Sequence, residues 1–275
     1  MTELAALRRE YAEKLREESG VASDAVIRAF ARVPREAYLG PPPWRCYAPR
    51  GTSELTSDPA DLYRNVLVAI DAARGINNGE PALHVRLISE MNPQPGEHVV
   101  HIGTGTGYYT AILAELVGPE GRVTGIEVDA VLAERSRANL AELAQVTLIQ
   151  GNAVEVDFDP ADGIYVNAGV SHPQSRWLDR LRNGGRLILP LTDARGGGVL
   201  LATRRDGSFA ARFVSTVAII PCVGGRDRAH LKRLRRAFGR GDSLSVRSLR
   251  RDPHESEPDC WLHAPDCCLS RRPAD

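Results

Sequence analysis

Residues 99–117, VVHIGTGTGYYTAILAELV, constrain the fold of this chain more than any other stretch. They read as a buried strand, a glycine turn and a helix start in unbroken succession. Gly103, Gly105 and Gly107 admit positive φ and let the backbone approach a ligand where a Cβ would collide. The apolar run Tyr108–Val117 supplies a helix whose first N–H groups face the turn, which suits a nucleotide-like ligand. The spacing is GxGxG, whereas the dinucleotide fingerprint keeps GxGxxG for a pyrophosphate.

Downstream, the turn Gly118-Pro119-Glu120-Gly121 leads into a second apolar strand, Arg122–Val128, that carries Glu127 twenty residues beyond Gly107. A carboxylate at that strand end can accept both hydroxyls of a ribose. Ala130–Leu143 is apolar at helical spacing, and Val146–Ile149 is a third strand running into Gly151-Asn152-Ala153. Asp162–Val170 reads as a fourth strand with Asn167 near its end, and Gln174–Leu181 as a short helix closed by Asn183-Gly184-Gly185. Arg186–Leu191 follows as a strand, and Val199–Arg204 with Ala210–Pro221 as a hairpin across Arg205–Ser208. Strand-helix alternation of this kind predicts an α/β fold with a mostly parallel sheet, ligands gathering at the carboxyl ends of its strands.

A chain of 275 residues with 25% charged and 43% hydrophobic residues can bury a large core. Thirty-five basic against 35 acidic residues leave no global field to recruit nucleic acid or an anionic membrane. The opening MTELAALRREYAEKLREESG reads as a charged amphipathic helix, and five cysteines in no regular framework suit a reducing, cytoplasmic setting. Three stretches are expected: a helical, acceptor-side segment over 1–95, an alternating core over 96–225, and an extension over 226–275 packed on that core. In the first, DPADLYRNVLVAI (Asp58–Ile70) reads as a capped helix and a possible lid, pointing Tyr63, Arg64 and Asn65 at an acceptor. Arg226–Arg251 holds ten Lys or Arg against two Asp, and with no aromatic platform accompanying the charges it reads as a solvated helix face rather than a nucleic-acid site. His254, Cys260, His263, Cys267 and Cys268 invite a zinc reading, but with no CxxC and a vicinal cysteine pair the spacing fits no common finger, and no metal is expected. Trp261 and Leu262 are expected to dock the tail onto the core.

The order HIGTGTGYYTAILAEL, GIEVD, a strand ending at Gly151-Asn152, DGIYVNAG and LRNGGRLILPL, preceded by RVPREAY at Arg32–Tyr38, resembles the protein-L-isoaspartate O-methyltransferases over roughly residues 20–222. The resemblance implies a Rossmann-like methyltransferase fold with seven strands, the last antiparallel, and helices on both faces. It also implies S-adenosylmethionine as donor, S-adenosylhomocysteine as product, and methyl transfer to a side-chain carboxylate of a protein or peptide. The donor would lie against His101, Gly103, Thr104, Gly105, Thr106, Gly107 and Tyr108, with Glu127 and Val128 at the ribose and Gly151, Asn152 and Ala153 at the adenine edge. The acceptor side would comprise Asn78, Gly79, His84 and Asn167.

Two departures mark the acceptor side. The family's Thr-x-Ser-x-Pro segment corresponds to INNGEP (Ile76–Pro81), which puts Gly79 in place of the Ser. Losing a hydroxyl donor to a carboxylate removes a hydrogen bond worth about 1.5–3 kcal/mol, which Asn77 or Asn78 could replace. His101 stands where relatives place a Glu, and a neutral imidazole still exchanges hydrogen bonds. A carboxylate attacking a sulfonium methyl needs alignment and desolvation more than a base. Were the acceptor a phenol or an alcohol, His84 or His172 would be the first candidate bases. A small molecule or modified ribosomal peptide as acceptor, and a catalytically silent binding module, are the alternative readings.

Overall fold

The computed structural model describes residues 3–20, 23–47 and 51–274. In chain order its elements are α1 (Glu3–Ser19), α2 (Asp24–Arg32), β1 (Trp44–Tyr47), β2 (Ser53–Thr56), β3 (Leu67–Asp71), β4 (Ile76–Asn77), α3 (Pro81–Met91), β5 (His98–Ile102) and α4 (Tyr108–Val117). There follow β6 (Arg122–Glu127), α5 (Ala130–Asn139), β7 (Val146–Gln150), β8 (Ala161–Val166), α6 (Ser175–Asp179), β9 (Leu181–Asp193), β10 (Gly196–Arg205) and β11 (Ser208–Val217). The remainder comprises α7 (Arg228–Arg240), β12 (Ser248–Arg250), β13 (Cys260–His263) and β14 (Cys268–Ser270). These elements form two compact units, one of residues 1–96 with 104–150, the other of 97–103 with 151–275.

In the first unit α1 lies against α2 and α3. The Oγ of Ser23 accepts the Val26 N–H at the start of α2, and the chain leaves the helix at Val33, where Pro34 disfavours further α conformation. Met1 and Thr2, the opening of the expected amphipathic helix, lie outside the described residues. Apart from the exposed Glu115, every residue of α4 is buried. The strands β6 and β7 pair in parallel, from Val123 opposite Val146 to Glu127 opposite Gln150.

The expectation of a helical 1–95 is overturned in part, because β1 to β4 form an antiparallel sheet in the order β2-β1-β3-β4. The expected helix over Asp58–Ile70 is a single 3-10 turn, Pro59–Leu62, followed by β3. The cap was read correctly, since Asp58 Oδ1 accepts the Ala60 N–H at 2.9 Å. The apolar positions after it serve a different period: Val68 packs with Leu39, Trp44, Cys46, Leu62 and Val66 into a buried cluster between strands.

In the second unit β5 pairs in parallel with β8, and β8 in parallel with β9. The antiparallel β10 and β11 then extend the sheet. Their hairpin turns on Asp206 and Gly207, with φ of 46° and 94°, the pair of positive values that a two-residue Asp-Gly turn of type I′ requires. The triplet Asn183-Gly184-Gly185 does not separate helix from strand as expected. Leu181 already pairs with Ala161, so the glycines form a bulge inside β9 before Arg186 meets Gly163. The fourth strand is also shorter than expected, β8 ending at Val166.

The strands of this unit run β13-β14-β12-β11-β10-β9-β8-β5, and three of them, β12, β13 and β14, come from the extension. The extension joins at one edge: β12 pairs with β11 at Ser248 opposite Ala210, then with β14, which pairs with β13. Trp261 is fully buried edge-on against Phe213 and Phe238, and Leu262 is buried, so the tail docks as its apolar residues lead one to expect.

Candidate functional site

All three loop glycines take positive φ, 80° at Gly103, 57° at Gly105 and 99° at Gly107, as their spacing predicts. Their reasons differ. A Cβ at Gly107 would lie 2.9 Å from Leu140 Cδ1 and 3.0 Å from Ser136 Oγ, so this glycine lets α4 start close against α5. A Cβ at Gly105 would meet nothing within 4 Å. Gly105 is therefore the position whose freedom serves conformation and approach rather than internal packing.

In the first unit Glu127 clamps this turn. Its Oε2 accepts the Gly105 N–H at 2.8 Å and its Oε1 accepts the Asp129 N–H at 3.0 Å. Burial pushes its carboxyl above the ordinary glutamate value, and the backbone donors pull against that shift. Asn139 Nδ2 donates to the Thr106 carbonyl at 2.8 Å, fixing the loop from α5. The hydroxyls of Thr104 and Thr106 are buried and have no hydrogen-bond partner among the described residues. Val128, next to Glu127, is exposed, and the following Asp129 caps α5 and pairs with Arg74.

In the second unit Asn167 is latched to the loop's first glycine. Its N–H donates to the Ile102 carbonyl at 2.8 Å, and its Nδ2 reaches the Gly103 carbonyl at 3.4 Å. A Cβ at Gly103 would crowd the Asn167 carbonyl at 3.2 Å. Asn152 is engaged by its own turn, Oδ1 accepting the Val154 N–H at 3.3 Å and Nδ2 donating to Glu155 at 3.0 Å. Gly151 lies beneath Val156, and the Ala153 carbonyl accepts the Trp177 indole N–H at 2.9 Å. His101 is wholly buried beside Tyr165, and burial pushes its imidazole down to about 3, so it is neutral at physiological pH.

The acceptor-side residues of the first unit turn inward. Asn78 is buried and accepts the Nε–H of Arg35 at 3.1 Å. Gly79 has φ of 78°, and a Cβ there would lie 2.4 Å from His84 Nε2. The His84 ring stacks on Tyr109 at 3.6 Å between centroids, 16° from parallel, and is buried. Tyr108, fully buried, packs edge-on against Tyr109 and Phe30, and its burial raises the phenol well above the ordinary value. Asn77, half-buried, spends its Oδ1 on the Gly79 N–H at 2.9 Å. The expected lid residues are also committed: Tyr63 donates to Glu36, Arg64 pairs with Glu54, and Asn65 Oδ1 accepts the Ala82 N–H. In the second unit His172 Nδ1 lies within hydrogen-bonding distance of Ser171 Oγ, at 2.9 Å, and the ring stacks on His230 at 3.8 Å.

Arg35 is the residue to which sequence reasoning gave no role. Fully buried, it donates Nη1–H to the carbonyls of Leu62 (2.8 Å) and Arg64 (3.2 Å), and Nη2–H to that of Val66 (2.7 Å). With Asn78 it ties the segment after the 3-10 turn to INNGEP, which gives the RVPREAY motif a physical meaning. The motif was legible, but the partners are backbone carbonyls, which no residue type announces.

Residues 7–227 match the family profile described as protein-L-isoaspartate(D-aspartate) O-methyltransferase. The protein-L-isoaspartate O-methyltransferase of Methanothermobacter thermautotrophicus is 29% identical over 225 residues, 79% of this chain and 95% of that one. That of Aeropyrum pernix is 31% identical over 218 residues, 77% of each chain. A solved protein-L-isoaspartate O-methyltransferase superposes with a TM-score of 0.67 at 22% identity, over 90% of this chain and 72% of the other. A Plasmodium falciparum structure described under the same activity, in complex with S-adenosyl-L-homocysteine, gives 0.64 at 19% identity, over 78% and 97%. The two superpositions establish the Rossmann-like methyltransferase fold. The profile match, spanning most of the sequence, establishes that this chain belongs to the protein-L-isoaspartate(D-aspartate) O-methyltransferase family of S-adenosylmethionine-dependent methyltransferases.

Proposed function

We propose that this chain methylates a side-chain carboxylate of a protein or peptide, an isoaspartyl residue being the first acceptor to test. The observation that carries the donor half is the Glu127 clamp on Gly105, beside the buried hydroxyls of Thr104 and Thr106, which have no hydrogen-bond partner among the described residues. These groups fit S-adenosylmethionine: the carboxylate retains lone pairs for a ribose diol, and the orphan hydroxyls offer polar contacts in a buried setting. Gly105, Gly107 and Tyr108 would present backbone to the donor, and Glu127 with Val128 would flank its ribose. Gly103, Gly151, Asn152, Ala153 and Asn167 are assigned to donor or acceptor by resemblance, and Asn152 must release its turn contacts to read an adenine edge. His101, neutral and buried within β5, is assigned a supporting part.

The donor supplies a sulfonium methyl, and its transfer to an ionised carboxylate leaves a neutral thioether. No general base is needed, since a carboxylate is already ionised at neutral pH. The chain's contribution is alignment and exclusion of water. His84 and His172, both in ring stacks, are accordingly assigned structural parts.

One observation favours a second acceptor, a normal aspartyl of a modified ribosomal peptide. At Gly79 the positive φ and the nearby His84 leave no room for the family's serine hydroxyl. Calorimetric titration with S-adenosylmethionine, then radiolabel transfer to an isoaspartyl peptide and its aspartyl counterpart, tests both readings. Base-labile label on the isoaspartyl peptide alone supports the first, and on an aspartyl peptide the second. Base-stable label would exclude a carboxyl ester, and absence of donor binding would leave only a silent module.

A further inference from the structure

Residues 252–270 lie wholly beyond the span that the family profile matches. Here the fold gathers four side chains that are scattered in sequence. His254 comes from the loop after β12, Cys260 and His263 from β13, and Cys268 from β14. Their ligand-type atoms all lie within 4.8 Å of one another.

We infer that His254, Cys260, His263 and Cys268 form a structural zinc site that staples the extension together. Strand pairing explains half of the cluster, because His263 stands directly opposite Cys268. Cys260 and His263 are three residues apart, which in a regular strand puts them on opposite faces. The register shift between Cys260 and Leu262 supplies the extra residue that restores both to one face.

The internal distances suit tetrahedral coordination. With Zn–S of about 2.3 Å and Zn–N of about 2.0–2.1 Å, a tetrahedral S–Zn–N angle sets sulfur and nitrogen about 3.6 Å apart. Cys260 Sγ lies 3.6 Å from His254 Nε2. The surroundings match what metal ligands ordinarily receive from their neighbours. His254 Nδ1 is 2.8 Å from the Asp252 carbonyl, which fixes the tautomer that leaves Nε2 free to ligate. The Glu257 N–H points at Cys260 Sγ at 3.3 Å, as a thiolate would reward. His263 Nδ1 is buried with no hydrogen-bond partner among the described residues.

Two thiolates and two imidazoles form the donor set of a closed, structural zinc site, with no position left for substrate. A second cluster of ligand-type side chains, His172 with His230 and Asp266, differs. His230 already spends both ring nitrogens, on Asp227 at 2.8 Å and Asp266 at 2.9 Å. A staple also answers a physical need: β12 and β14 have three residues each and β13 four, too few for such strands to persist on their own ladder bonds.

The test uses the full-length chain, made without a polyhistidine tag and purified without chelator. Mass-spectrometric metal analysis is expected to find about one zinc per chain. Cobalt exchanged for zinc should give the charge-transfer band of thiolate ligation and the intense visible absorption of a tetrahedral site. Cys260→Ser and Cys268→Ser should each lower zinc content about tenfold or more, while Cys267→Ser and Cys46→Ser keep it. Because the serine variants can fail to fold, His263→Cys provides a second check, since a Cys3His set is expected to hold the metal. Chelation of wild-type protein should lower its Tm, and added Zn2+ should restore it. A folded wild-type chain that carries no zinc and cannot take Zn2+ from a micromolar chromophoric chelator would overturn the assignment. So would a Cys260–Cys268 disulfide, or full zinc content in the folded Cys260→Ser, Cys268→Ser double variant.

Discussion

At the scale of single residues, two buried charges carry different duties. Glu127 is held by two backbone N–H groups, and burial raises its carboxyl so that it takes up a proton earlier than an exposed glutamate as pH falls. Glu127→Ala should weaken S-adenosylmethionine binding about 10–100-fold, the loss of charge-assisted hydrogen bonds to two hydroxyls, as titration calorimetry would register. The wild-type affinity should fall on acidification, because only the carboxylate accepts both hydroxyls, and Glu127→Gln should flatten that fall. Affinity unchanged in Glu127→Ala would remove the residue from the donor site. Arg35 instead satisfies the carbonyls of Leu62, Arg64 and Val66 and the amide oxygen of Asn78. Arg35→Met leaves those acceptors buried without a donor and should cost about 3 kcal/mol or more in chemical denaturation.

At the scale of elements, the join between β4 and α3 decides how far this chain follows its relatives. The obvious repair, Gly79→Ser, restores the residue that the family carries. Yet Gly79 sits at φ 78°, and His84, stacked on Tyr109, occupies the space of a Cβ. The substitution should lower stability by about 1–3 kcal/mol in thermal unfolding and leave isoaspartyl methylation no faster. A faster, equally stable Gly79→Ser enzyme would show that this segment rearranges freely. The extension poses the complementary case: α7 and β12–β14 bury Trp261, Leu234, Leu249, Leu262 and Leu269 within the second unit. Each large apolar side chain so buried contributes about 1.5–3 kcal/mol. A chain truncated after Asp227 should therefore lose about 10 °C or more in Tm, or aggregate through its exposed β11, and an unchanged Tm would contradict this packing.

At the scale of the whole molecule, acid stability reports a residue that no surface probe reaches. His101 is buried neutral, its imidazole pushed from an ordinary 6.5 down to about 3 by desolvation. Between those values the unfolded chain binds a proton that the folded chain refuses, so stability falls as pH falls. The slope should approach about 1 kcal/mol per pH unit below 6.5, and His101→Gln should remove that component from unfolding free energies measured across the window. What the sequence by itself determined was local: glycines that demand positive φ, the alternation of apolar strands and helices, the Asp-Gly hairpin turn, and the carboxylate twenty residues past the loop. Each follows from the conformational limits or the period of a few neighbouring residues. The tertiary structure decided where long-range partners are involved. Val68 joined a strand cluster instead of a helix, Asn78 turned to Arg35, and Asn152 to its own turn. A one-residue bulge in β13 brought Cys260 and His263 to one face beside His254 and Cys268. Side-chain direction changes sign with a single inserted residue, and burial is set by what packs from a distance, so neither is written in local spacing.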